Sequence, residues 1–189
     1  MIRASHVIFT AYGFWLPNDP RGSWSDFVRK WELLRFGPAT KTNIRRSVAG
    51  ATHDRAQRSQ AKEQLKFPPV HFTGKQALSI ANGFRWAVEQ SHYSVYACAI
   101  LPDHVHMVIA RHDYHVEQIV RRLKQAATMR LKSDGLSPHA GSPWARNGWK
   151  VFLNTDADIR RAIHYVNDNP AKEHKPPQQW AFVTPYTAI

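Results

Sequence analysis

The sequence predicts an α+β fold: an antiparallel β-sheet with helices packed on its faces and a long insertion after the first strand. Three observations carry this. Apolar, β-rich runs alternate with longer stretches of helical periodicity in the order strand, helix, two strands, helix, strand, helix. The two middle strands meet at Pro102-Asp103, whose turn chemistry reads as a tight hairpin in the middle of the sheet. At 189 residues and 43% hydrophobic content, the chain is long enough for one well-buried core, so residues 1–189 are expected to form a single domain.

His6 to Tyr12 is apolar enough for a buried first strand. Residues 13–70 form the insertion. Its first part, rich in Gly, Pro, Asn and Trp, cannot be a regular element. There, Trp15 and Trp24 either pin the loop to the core or, beside Arg21, stack an unpaired base. A short helix is expected over Phe27 to Phe36, then a basic cluster of Lys41, Arg45 and Arg46, then a polar helix within Ala51 to Lys66 that ends before Pro68-Pro69.

Gly74 to Ser91 carries Ala77, Ala81, Phe84 and Val88 at helical spacing, a helix that can cover the sheet. The hairpin follows over 93–110. His115 to Lys132 places Val116, Ile119, Val120, Leu123, Ala127 and Leu131 on one face, leaving Arg121, Arg122, Lys124, Arg130 and Lys132 as a basic exposed side. Ser133 to Gly148 reads as loop and Trp149 to Leu153 as a short strand. A last helix of about a dozen residues is expected over 157–169, capped near Asn154-Thr155-Asp156 and stopped by Pro170.

The hairpin holds the most informative stretch, Leu101-Pro102-Asp103-His104-Val105-His106-Met107-Val108. Side chains alternate along a strand, so His104 and His106 share a face while Val105, Met107 and Ile109 take the other. Neutral imidazole is the commonest metal ligand, and a pair on a rigid strand supplies two coordination positions. Two histidines on a polar strand face would look the same, and a chain with 11 His produces the pattern by chance.

In the last helix the core stripe is Ile159, Ala162, Ile163 and Val166, and Tyr165 and Asn169, four apart, share the flank beside it. A phenol can act as a covalent nucleophile, and an amide oxygen suits Mg²⁺ or Mn²⁺. Alone, the two residues read equally as a ring at the core edge and a cap before Pro170.

Composition narrows the partners. Twenty-six Lys and Arg against 14 Asp and Glu leave a net charge of +12, which attracts polyanions, nucleic acid first and an anionic membrane surface second. No run approaches the roughly 18 apolar residues of a membrane span, and the polar start Arg3-Ala4-Ser5-His6 interrupts any leader. The lone Cys98 allows no intrachain disulfide, which fits a reducing, cytoplasmic setting.

Together, the His104-Val105-His106 strand and, about 60 residues on, Tyr165-Val166-Asn167-Asp168-Asn169-Pro170 resemble the HUH single-tyrosine transposases, specifically the REP-associated tyrosine transposases. That family usually has Asn where Asp103 stands, and the 13–70 segment is longer than in compact members. The resemblance implies a ferredoxin-like HUH endonuclease fold with the histidines on a central strand. It further implies a divalent metal, Mg²⁺ or Mn²⁺, held by His104, His106 and Asn169, and Tyr165 as the nucleophile that forms a 5′-phosphotyrosine link. It makes hairpin-bearing single-stranded DNA the substrate and association with the nucleoid an expectation. Monomeric and homodimeric relatives exist, and the sequence does not choose between them. Arg161 and Lys172 are candidates to help activate the phenol.

Two rival readings stand beside this one. A domesticated DNA-binding protein would keep the fold without turnover. A metal hydrolase would combine the His pair with His71, His92 or His112; it lacks a His-Glu-x-x-His helix, and on a regular strand Asp103 would point away from the ligands.

Overall fold

The computed structural model describes residues 1–17, 31–37 and 54–188. The chain divides into two compact units, Met1–Ala11 with His71–Ile189, and Tyr12–Val70.

The larger unit is a four-stranded antiparallel sheet with helices on its faces. Its elements are β1 (Ala4–Ala11), β2 (Val95–Ile100), β3 (His104–Ala110) and β4 (Trp144–Leu153), with three helices, Gly74–Ser91, Val116–Ser133 and Asp156–Lys172. The strand order is β2-β3-β1-β4, which puts β3 and β1 in the middle. The pairing of β1 with β3 sets His6 opposite Val108 and Ile8 opposite His106.

Alternation divides the core between the two faces of the sheet. On one face Ala4, Ala97, Ala99, Val108 and Leu153 pack against Ile159, Ala162 and Val166 of the last helix. On the other, Phe9 meets Phe84 and Trp144 edge-on, with centroids 5.9 and 5.5 Å away. Gly83 lets the first two helices of this unit touch, because a Cβ there would lie 2.7 Å from Ala127 Cα. The outer edge of β2 is covered. The Gln178 side chain accepts from Ile100 N–H and donates to its carbonyl, both at 2.8 Å, and Thr184 N–H donates to Val95 O. A paired edge is protected from adventitious strand addition.

Local chemistry explains the helix starts. Thr73 and Gln76 form a reciprocal capping box before Gly74–Ser91, and the Thr155 hydroxyl accepts from Asp158 N–H before Asp156–Lys172. Two expectations need correction. Residues 144–148, read as loop, belong to β4, whose Gly148 and neighbouring polar residues mask its pattern. Pro170 does not stop the last helix, which runs to Lys172; in the last turn its missing N–H forfeits only one helical bond.

Among the described residues of the smaller unit, the helical elements are α1 (Arg55–Glu63), capped by Asp54, and one 3₁₀ turn at Trp31–Phe36. Leu16, Leu33, Phe36 and Ala61 form its core. Val70 N–H donates to Tyr12 O, closing the segment. Gly13, at φ +80°, lies against Pro69, where any side chain would collide. Of the aromatics expected to pin the loop or stack a base, Trp24, with its neighbour Arg21, lies outside the described residues, as do the helix start at Phe27 and the cluster Lys41, Arg45 and Arg46. In chain order the longer helices are numbered α2 (Gly74–Ser91), α3 (Val116–Ser133) and α4 (Asp156–Lys172).

Candidate functional site

His104 and His106 lie on central β3, on the face covered by α4, with ring centroids 4.8 Å apart. Because α4 packs its Ile159–Val166 stripe on that face, its flank brings Tyr165 to the same place, with its ring 5.5 Å from that of His106. One chain therefore gathers both imidazoles and the phenol. Tyr165 is 44% exposed, whereas His106 is 3% exposed and held.

Asn169, one turn after Tyr165, is buried, and its amide nitrogen donates to Tyr165 O at 2.6 Å. That commits the nitrogen and leaves the amide oxygen as the atom of this group that can bind a cation.

Several neighbours were not legible as site residues. His6 of β1 stacks on His106 with its Nε2 3.2 Å from His106 Nδ1, and its ring is 5.7 Å from those of both Trp149 and Tyr165. Only the β1–β3 register brings it there, and no single-strand pattern reports register. Asp103 lies just before β3, outside the alternating strand, so it does not point away as a regular strand would require. Its carboxylate instead accepts from His104 Nδ1 at 2.7 Å. Glu173, at the end of α4, places Oε1 3.9 Å from His104 Nε2.

Electrostatics favour neutral rings at His6 and His106. Burial pushes His6 down to about 4. Burial, followed by the charges of His104, His6 and Lys172, holds His106 well below the usual histidine range. Asp103, His104 and Glu173 each bring a ligand atom within 4.8 Å of the others, a set of one imidazole and two carboxylates that suits a divalent cation. Glu173 is thus a donor the sequence reading left out.

Of the two candidate activators, Lys172 sets its ammonium 4.3 Å from the Tyr165 ring centroid. Arg161 faces Asp158 instead, 3.7 Å away, with its side chain 74% exposed.

The basic residues of α3 separate into distinct environments. Arg121 and Lys132 line a groove of about 740 Å³ between α3 and β4, with Arg146 and Lys150 across it. Arg122 stacks on Tyr114, and Arg130 pairs with Asp134 at 3.0 Å. Lys124, expected on the exposed basic side, is buried: its ammonium donates to Ala145 O and Asn147 O, and burial lowers it to about 8.

Residues 69–169, which include every member of the histidine and tyrosine cluster except His6, match the family profile of IS200-like transposases. The chain belongs to the IS200-like transposase family. Among solved structures, this transposase is similar to a REP-associated tyrosine transposase bound to a REP hairpin, with 13% identity over 90% of this chain and 68% of that one, at a TM-score of 0.49. It is also similar to a candidate transposase from Deinococcus radiodurans R1, with 15% identity over 87% of this chain and 91% of that one, at a TM-score of 0.40. No curated protein matches it significantly. Among the described residues of the transposase, no helix is long and apolar enough to cross a membrane.

Proposed function

We propose that this transposase cuts and rejoins hairpin-bearing single-stranded DNA through a covalent link to Tyr165. The observation that carries the reading is the meeting of the Tyr165 ring with His106 and His6 at 5.5 and 5.7 Å, on elements distant in sequence. Tyr165 Oη attacks the scissile phosphorus, the bond from phosphorus to the 3′ oxygen breaks, and that oxygen leaves as a 3′-OH carrying the proton the phenol gives up. The 5′ end remains as a phosphotyrosine. A 3′-OH attacking the same phosphorus reverses the exchange and returns the proton to tyrosine, so rejoining needs no nucleotide cofactor.

His104, His106 and Asn169 would hold Mg²⁺ or Mn²⁺, with Glu173 beside them. When bound, the ion supplies a positive charge that polarises the phosphate and offsets charge developing on it. The chain's own residues do the rest. The β-sheet fixes the imidazoles, α4 carries the nucleophile, and Lys172 adds a fixed cation against the phenol.

The groove between α3 and β4 is where DNA backbone contacts fit, with Arg121 and Lys132 facing Arg146 and Lys150. Arg122 and Arg130, which do not line this groove, are further candidate phosphate contacts, as are Lys41, Arg45 and Arg46 of the sequence. Lys124 is assigned a structural role. Cleavage in cis within one chain is consistent with the single-chain site, and a homodimer is compatible with it. A cytoplasmic, nucleoid-associated location follows from such a substrate.

Incubation with hairpin-flanked single strands and Mn²⁺ tests the reading. A covalent protein–DNA band that disappears in Tyr165→Phe supports it. An adduct that survives Tyr165→Phe moves the nucleophile elsewhere, and DNA binding without any adduct points to a silent binding protein.

A further inference from the structure

His104 and His106 differ from ordinary surface histidines in one respect: each has its Nδ1 engaged from behind. For His104 the partner is the Asp103 carboxylate at 2.7 Å, and an ionised carboxylate can only accept. His104 therefore carries a proton on Nδ1, and its Nε2 is the atom that faces the site, 3.9 Å from Glu173 Oε1. For His106 the partner is a second imidazole, His6 Nε2 at 3.2 Å, so either ring can be the donor. The two choices have opposite chemical consequences. If His6 donates, His106 bears its proton on Nε2 and cannot ligate through that atom. If His106 donates, its Nε2 is a bare lone pair.

We propose that His6 is the positioning residue of this site: its Nε2 accepts the His106 Nδ1–H, which fixes His106 as the Nδ1–H tautomer with Nε2 available to a divalent cation. The inference rests on the metal reading given above and deepens it by assigning the group that orients the second imidazole.

The surroundings restrict His6 to this task. It is 8% exposed on a central strand, its ring stacks on His106 with planes 26° apart, and Trp149 meets it edge-on at 90°. A ring so confined presents Nε2 to His106 without searching rotamers. The arrangement matches the general pattern in which a metal-binding histidine is tied through its other nitrogen, and loss of such a tie weakens metal affinity about 10–100-fold. Here the two ties differ. His104 leans on an anion from the turn before its own strand, whereas His106 leans on a neutral ring from the neighbouring strand.

Histidine-selective ¹⁵N NMR of the metal-free protein decides the tautomer. His106 is expected to show a protonated Nδ1 and an unprotonated Nε2, the reverse of the tautomer favoured by free histidine; a protonated Nε2 overturns the inference. Mn²⁺ titration of variants gives a second readout. His6→Leu is expected to bind Mn²⁺ about 10–100-fold more weakly and to revert His106 to the Nε2–H form, while His6→Gln, whose amide oxygen accepts the same proton, restores both. His6→Leu that binds Mn²⁺ as tightly as the wild type overturns the positioning role. Wild-type protein that takes up no Mn²⁺ overturns the metal reading instead, and the metal-free tautomer still decides between support and rejection of the His6–His106 bond.

Discussion

The ammonium of Lys172 sits 4.3 Å from the centre of the Tyr165 ring, two turns along α4 from the residue it covers. A cation over an aromatic face contributes about 0.5–2 kcal/mol, more when water is excluded. With Tyr165 as the proposed nucleophile, it would also offset negative charge on the attacking oxygen and the phosphate. Lys172→Met should therefore slow covalent adduct formation by roughly 2–30-fold, the kinetic equivalent of that energy, while Lys172→Arg keeps most of the rate. Single-turnover gels at saturating DNA measure it. A Met variant as fast as the wild type would remove Lys172 from the chemistry.

Acid should loosen the metal-free fold before it denatures an ordinary domain of this kind. Burial depresses His6 from 6.5 to about 4, and His106 shifts the same way. Between those values the unfolded chain binds a proton that the folded chain refuses, so stability is full above pH 6.5 and is lost as pH falls towards 4. For His6 alone the loss amounts to about 3 kcal/mol. Urea midpoints of metal-free protein at stepped pH should fall through that window, less steeply in His6→Leu. Equal midpoints at pH 7 and 4.5 would contradict the burial of these rings.

The sequence showed the histidine strand, the tyrosine helix and the helix over 74–91 because each states its role locally, through alternation, a core stripe or a cap. What it could not show depends on register or on irregular backbone. His6 reaches His106 only because Ile8, not His6, pairs opposite it across β1 and β3. Asp103 bonds His104 because it sits in a turn, where alternation no longer applies. Lys124 shows the limit of helical periodicity: its position suggests a solvated cation, yet the incoming β4 backbone at Ala145 and Asn147 closes over it. The first half of β4 was obscured by Gly148 and polar neighbours that face outward from an edge strand.

Close approach of α2 and α3 depends on Gly83. A methyl there would meet Ala127 Cα at 2.7 Å and Ala126 O at 2.8 Å, all backbone atoms that cannot rotate away. Gly83→Ala should destabilise the protein by about 1–3 kcal/mol despite the better helix propensity of Ala, because overpacking outweighs it. Equilibrium unfolding in urea measures the difference. A variant as stable as the wild type would mean that the helices can separate at little cost.

The α3 cations should divide into two functional groups. Arg121, Lys124 and Lys132 all line the groove opposite Arg146 and Lys150, but Lys124 spends its ammonium on two backbone carbonyls. Removing a phosphate contact lowers affinity across sequences and reduces the salt dependence of binding by about one unit of slope. Arg121→Ala and Lys132→Ala should each do so without loss of stability. Lys124→Met should cost about 1–3 kcal/mol of stability by stranding those carbonyls. At temperatures where it remains folded, it should leave the salt slope unchanged. Fluorescence anisotropy of a labelled hairpin strand across salt concentrations, set beside urea unfolding, separates the two effects. A flattened salt slope in Lys124→Met would show that its ammonium turns outward to DNA, and unchanged slopes in Arg121→Ala and Lys132→Ala would move the DNA path away from this groove.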